Sequence, residues 1–234
     1  MIQRLELQPA YVIHAKPYRD TSFIVRFLTP DAGVVAGIAR GQRQKKSSQR
    51  ALLNPFIPLL ISLQGKRDLK LVTHLEASGV RPQLLGPSLF SGLYLNELLV
   101  RLLPEADPHP SVYSDYCNAL EGLSGGAVVE DVLRHFETRL LAELGYAISW
   151  REEAGSDSPI RPDAYYRLDC EAGFVPVGLE AHDSLYCGEQ ILAVASDAAP
   201  TPQSRRLAKR VNRALLQPLL GSRPLQSRAL FKSP

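Results

Sequence analysis

The chain has 234 residues, 45% of them hydrophobic and 22% charged, with a net charge of +3. This is an ordinary soluble globular composition, enough for one large domain or two smaller ones. No run approaches the roughly 18 apolar residues of a membrane span, and the opening MIQRLELQPAYVIHA lacks the long apolar core of a signal peptide. Cys117, Cys170 and Cys187 form an odd, sparse set that fits reduced thiols in a cytoplasm better than a disulfide framework.

The modest net charge conceals a strong asymmetry. Residues 1–80 hold 12 Lys/Arg and 5 Asp/Glu, residues 81–200 hold 7 and 19, and residues 201–234 hold 8 and none. A basic head and a basic tail flank an acidic middle, which suggests that part of the chain meets a polyanion.

Five short runs rich in β-branched and aromatic residues fill the first 80 positions: YVIHA, TSFIVRFLT, GVVAGIAR, FIPLLISLQ and LKLVTHLEA. In the last, Leu69, Leu71, Thr73 and Leu75 alternate with Lys70, Val72, His74 and Glu76, the period of a half-buried strand. Turn-forming segments separate the runs, and no helix-length amphipathic stretch interrupts them. Five such strands suit a small closed barrel, most simply an OB-fold, with an SH3-like barrel as the alternative. Between the third and fourth lies RGQRQKKSSQR, whose Arg40, Arg43, Lys45, Lys46 and Arg50 meet no acidic residue. Lys66, Arg67 and Lys70 make a second basic turn between the fourth and fifth. A charge run is usually only a solvated loop. Two basic loops on one small barrel point instead to phosphate contacts, which give affinity without reading sequence. Tyr11, Phe23, Phe27 and Phe56 fall within strands and read as core, whereas Tyr18, in a turn, is the better base-stacking candidate.

Helical periodicity begins after VRPQLLGPS. SLFSGLYLNELLVRLLP carries Leu89, Leu93, Leu95, Leu98, Leu99 and Leu102 at helical spacing. SVYSDYCNALEGL and AVVEDVLRHFETRLLAELGY follow as two more helices. A loop-rich insert occupies about 149–187, with a hairpin predicted around DCEAGF. TPQSRRLAKRVNRALLQPLLG reads as a last long helix with Leu207, Val211 and Leu215 on one face. The fold class is therefore α+β in two domains, a barrel over 1–80 and a helical domain over 81–234.

The motifs of common catalytic sites are missing: there is no G-x-x-x-x-G-K-[ST], no G-x-S-x-G and no H-E-x-x-H. His14, His74, His109, His135 and His182 are scattered. Three lone cysteines without a C-x-x-C do not make a four-ligand zinc site. The residues point away from an enzyme and require no cofactor.

Several stretches together resemble the RecO family of bacterial DNA repair and recombination mediators: LTPDAGVVAGIARGQR, NPFIPLLISLQGKRDLKLV, FSGLYLNELLVRLLP, RHFETRLLAELGY and GSRPLQSRALF. The resemblance implies an N-terminal OB-fold, then a helical domain with a small zinc-finger-like insert. It implies binding of single- and double-stranded DNA, annealing of complementary strands, and cooperation with RecR in loading RecA onto strands coated by single-stranded-DNA-binding protein, in the cytoplasm at the nucleoid. Some members hold zinc with four cysteines in the insert. Only Cys170 stands near those positions here, so the insert is expected to hold together by packing, without metal. The resemblance also implies a pocket for the acidic C-terminal tail of the single-stranded-DNA-binding protein. Arg134 would form its basic end, with Arg206, Lys209 and Arg210 from the last long helix. Thr138 stands where a large apolar lining residue is expected. The plain alternative for Arg134 is an exposed pair with Glu130. The alternative for the whole chain is a protein–protein adaptor whose basic surfaces serve an acidic partner, with little DNA affinity of its own.

Overall fold

A computed structural model describes residues 4–42, 49–66, 68–156, 158–178, 185–196 and 199–231. By its contacts the chain forms two compact units, one of residues 1–129 with 223–234, the other of 130–222.

The first unit is built on five strands: β1 (Arg4–Tyr18), β2 (Ser22–Thr29), β3 (Gly33–Ala39), β4 (Leu59–Gln64) and β5 (Leu69–Ala77). They close in the order β1-β2-β3-β5-β4, with β3 and β5 parallel and the other pairs antiparallel. This is an OB-fold barrel. β1 closes it because its first half pairs with β4 and its second half with β2. Val12, Val25, Phe27, Val35, Leu59, Ile61, Leu63 and Leu75 fill the interior.

The alternation expected along β5 breaks at Thr73. The ladder with β4 shifts there, Ser62 pairing with His74 but Leu63 with Val72. One extra residue turns the strand over, so Leu75 points inward on one side of the shift and Val72 and Lys70 on the other. Val72 packs on the barrel core, and Lys70 is only 5% exposed.

Two helices complete the barrel unit, α1 (Pro87–Leu102) and α2 (Pro110–Ser124). Several attachments hold this part of the chain to the barrel. Arg26 on β2 pairs with Glu105 at 2.8 Å, and Ala106 N donates to Val34 O at 2.8 Å. Gly33, at φ +63°, brings its backbone so close to Asp107 that a Cβ would stand 1.8 Å from the Asp107 carbonyl oxygen. Only glycine meets both demands. Tyr11 on β1 lies edge-on to Tyr116 of α2, ring centres 5.3 Å apart, and Tyr116 donates to Asn96 Oδ1 at 2.6 Å. Burial pushes the half-buried Cys117 thiol up, which makes it a poor nucleophile.

The C-terminal segment returns to this unit and ends in the short helix α6 (Ser227–Leu230). Glu97 of α1 receives it. Its carboxylate accepts from Gln226 N at 2.8 Å, Ser227 N at 2.9 Å and Ser227 Oγ at 2.6 Å, and Arg101 donates to Arg223 O at 2.8 Å. Burial alone would raise the Glu97 carboxyl, but the Ser227 and Gln226 hydrogen bonds, with Arg101, hold it below its ordinary value. The stability this contributes is present above the unfolded carboxylate pKa, about 4.3, and is lost as pH falls through the lower folded value. Glu97→Gln should therefore speed tryptic cleavage after Arg228 near neutral pH. In the parent protein the same cleavage site should loosen only on acidification. Equal protection in the variant would show that this carboxylate does not hold the segment.

The second unit contains α3 (Val129–Glu143), the insert, α4 (Gly188–Val194) and α5 (Pro202–Leu220). The insert is a three-stranded sheet in the order β7-β6-β8, from β6 (Tyr165–Asp169), β7 (Gly173–Gly178) and β8 (Tyr186–Cys187). The hairpin expected around DCEAGF is the β6–β7 turn. Phe174 sits between Trp150 and Tyr186, ring centres 5.4 and 5.8 Å away. α5 starts with a capping box, Thr201 and Ser204 each taking the other's backbone N–H, and Pro202 follows in the first turn. Its Leu207, Val211 and Leu215 are buried on one face, as the spacing predicts. No helix among the described residues is long and apolar enough to cross a membrane.

Candidate functional site

The basic run leaves the barrel at Arg40, directly after β3, and ends at Arg50, which opens a 3-10 turn (Arg50–Leu53). Both side chains are exposed. Arg43, Lys45 and Lys46 lie outside the described residues, as does Arg67 of the second turn. Lys66 is described and exposed. β5 begins alongside Ala36, so Lys66 precedes it toward the start of β3, while Arg40 leaves the far end. Arg40 and Lys66 thus lie toward opposite ends of β3. Lys70 does not join them. The shift at Thr73 turns it inward, and a buried ammonium in a strand is not a solvent-facing phosphate contact.

The structure adds cations that spacing did not single out. His14 faces Arg26 across the β1–β2 ladder, and Lys16 is two residues further along the same side of β1. Burial chiefly lowers the His14 pKa, with Arg26 and Lys16 adding to the shift. Arg19 lies in the β1–β2 turn, at the end of the barrel where Phe23 pairs with Ala39. Its guanidinium stands 5.2 Å over the ring of Tyr18, which is half-buried at the end of β1. Tyr11, Phe27 and Phe56 are buried, as core residues should be.

In the second unit, Arg134 and the basic residues of α5 share a helix pair. Asp131 takes Arg205 in a two-pronged bond, at 2.7 and 2.8 Å, and Asn212 donates to Arg134 O, Glu137 Oε2 and Thr138 Oγ1 at 3.2–3.3 Å. The paired positions advance together, so α3 and α5 run parallel. Arg134 meets Glu137, not Glu130, its terminal nitrogen 2.5 Å from the carboxylate. The pair is enclosed, with the Arg134 side chain 13% exposed and that of Glu137 2%. Arg134 Nε is buried and takes no hydrogen-bond partner among the described residues. Arg206 and Lys209 are exposed on α5. Arg210 is turned to the insert, stacked 3.9 Å over the ring of Tyr186 and donating to Leu185 O at 2.9 Å. Thr138 is exposed and receives the Asn212 amide, so it contributes a polar contact where an apolar wall is expected.

The insert does not fit a zinc ion. Cys187 pairs with Tyr165 at the start of β6, whereas Cys170 follows its end. Five residues of strand separate them by about 16 Å, far beyond the reach of two thiolates on one metal. Cys170 Sγ instead lies 3.7 Å from Ala214 O, and Cys187 Sγ 3.9 Å from Pro162 O. Among the described residues, no three His, Cys, Asp or Glu side chains gather as a ligand set. Purified protein should carry well under one equivalent of zinc, and chelators should leave its melting temperature unchanged. Elemental analysis giving stoichiometric zinc would contradict this.

Comparison with known proteins agrees across the chain. Residues 1–81 match the family model Recombination protein O N terminal, and residues 87–229 match Recombination protein O C terminal. The DNA repair protein RecO of Cellvibrio japonicus is 45% identical over 229 residues, 97% of each chain. That of Pseudomonas putida strain GB-1 is 43% identical over 225 residues, 96% of each chain. That of Methylococcus capsulatus is 41% identical over 230 residues, 98% of this chain and 94% of the relative. With an OB barrel followed by helices, and both family models matched in order, the chain belongs to the RecO family of DNA repair proteins.

Proposed function

We propose that this protein is a recombination mediator without catalytic activity. It binds single- and double-stranded DNA through phosphate contacts on the barrel and anneals complementary strands. With RecR it helps load RecA onto strands coated by single-stranded-DNA-binding protein, in the cytoplasm at the nucleoid. One observation carries this reading above the others: the basic run Arg40–Arg50 departs from and returns to an OB barrel, with exposed arginines at both described ends. Contacts of this kind neutralise phosphates without reading bases. Two strands can then approach, and base pairing supplies the selectivity.

The acidic tail of the single-stranded-DNA-binding protein would engage Arg134, Arg206 and Lys209, with Arg210 beside them. Arginine's planar fork suits a terminal carboxylate. The test is annealing of complementary oligonucleotides, bare and coated by single-stranded-DNA-binding protein, beside a gel shift across a salt series. Salt-sensitive binding and accelerated annealing of both substrates are expected. Tight binding of the acidic tail with no DNA shift would instead make the chain an adaptor for acidic partners.

A further inference from the structure

A cavity of about 1100 Å³ lies within the barrel unit, walled by the second half of β1, the 3-10 turn, α1 and the C-terminal segment. Its volume is a little above the usual range for ligand clefts, and it opens to solvent. Phe23, Leu53, Leu93, Val100 and Leu230 give it apolar walls. Its charged groups are unbalanced. Arg50, Arg101 and Arg223 line it, and Glu97 is the only carboxylate among the lining residues. Both Glu97 oxygens are already taken by the hydrogen bonds from Gln226 and Ser227. His14 is also on the lining, and its lowered pKa reflects burial and then the charges of Arg26 and Lys16.

An apolar chamber with a cationic rim suits a ligand that is flat and apolar-faced at one end and anionic at the other. We infer that this cavity receives an unpaired nucleotide of single-stranded DNA, the base against the Phe23–Leu93 walls and its phosphate toward Arg50 and Arg223. The inference rests on the DNA-binding reading above and names a further site for it. A nucleotide is favoured over an acidic peptide because Arg50 closes the basic run Arg40–Arg50. A strand whose phosphates meet the exposed Arg40 and Arg50 is therefore brought to the cavity that Arg50 lines. Such a chamber would hold bases apart from one another yet leave neighbouring bases open to pairing. That is the condition annealing requires.

The test uses the full chain and two thymidine oligonucleotides, one intact and one with abasic positions at its centre. Wild type should bind the intact strand about tenfold more tightly, the scale of one base held by stacking. Filling the cavity from two separate walls, with Leu93→Trp and with Ala51→Trp, should abolish that difference while the melting temperature holds. Oligonucleotides bearing 5-iodouracil should crosslink to peptides containing Phe23 or Leu230. Three outcomes overturn the inference. Equal affinity of wild type for intact and abasic strands removes the cavity from DNA binding, leaving the surface reading in place. An acidic peptide that binds wild type but not the filled variants, with DNA affinity unchanged in them, assigns the cavity to a protein partner. No binding of wild type to any single strand removes the DNA reading itself and this inference with it.

Discussion

Arg134→Ala should lower the stability of the 130–222 unit by roughly 3 kcal/mol, the scale of breaking an enclosed ion pair from one side. Glu137 is 2% exposed, and the substitution removes its arginine while the carboxylate stays in place. The Asn212 hydrogen bond remains and keeps the loss toward the low end of that range. Had Arg134 paired with Glu130 on the helix surface, the same change would cost only about 0.3–0.5 kcal/mol. Urea unfolding followed by the fluorescence of Trp150, which lies in this unit, separates the two values. Replacing both partners, as Arg134→Met with Glu137→Met, should restore much of the loss, since an apolar pair of similar size carries no stranded charge. A midpoint unchanged in Arg134→Ala would show that the pair contributes nothing.

This result bears on how partner binding is measured. Arg134→Ala weakens the fold as well as any tail site, so a lost tail signal from that variant has two explanations. Arg206→Ala has no such ambiguity, because Arg206 is exposed. Its stability should stay within about 0.5 kcal/mol of the parent. Any fall in affinity for a labelled tail peptide, read by fluorescence anisotropy, then belongs to the contact itself.

The second large effect is expected from the basic run. Replacing Arg43, Lys45 and Lys46 together by Ala should weaken single-stranded DNA binding alike for unrelated sequences. It should reduce the slope of log affinity against log salt by about two, near 0.7 for each phosphate contact. Lys70→Met is the informative contrast. With Lys70 only 5% exposed, it should change thermal stability and leave the slope where it was. An unchanged slope in the triple variant would make the run a solvated loop. A reduced slope in Lys70→Met would mean that the strand opens to expose it.

The barrel was legible because its strands carry their own signals: alternation, β-branched runs and turn residues between them. Lys70 was not, because face alternation assumes an unbroken ladder and the extra residue at Thr73 is fixed by pairing with β4. Helix α4, seven residues long, is too short to show a period, and α6 shorter still. The partner of Arg134 was also hidden. Glu130 and Glu137 are both within reach along a helix, at four and three residues, and spacing cannot choose between them. Asn212, some 75 positions away, selects Glu137 by reaching across from α5. The cavity is hidden for the same reason, as its walls come from five separated segments. The change of composition near residue 80 does mark where strands give way to helices, between the end of β5 and the start of α1.

The return of residues 223–231 to the barrel unit sets an order of events during synthesis. Barrel, α1 and α2 are complete in the nascent chain long before Gln226 and Ser227 exist to meet Glu97. The whole of residues 130–222 must be translated in between, an interval of roughly 5–20 s. Through that time Glu97 and the α1 flank of the barrel stand open, and any hydrogen-bond donor or hydrophobic bystander can occupy the place that Gln226 and Ser227 later fill.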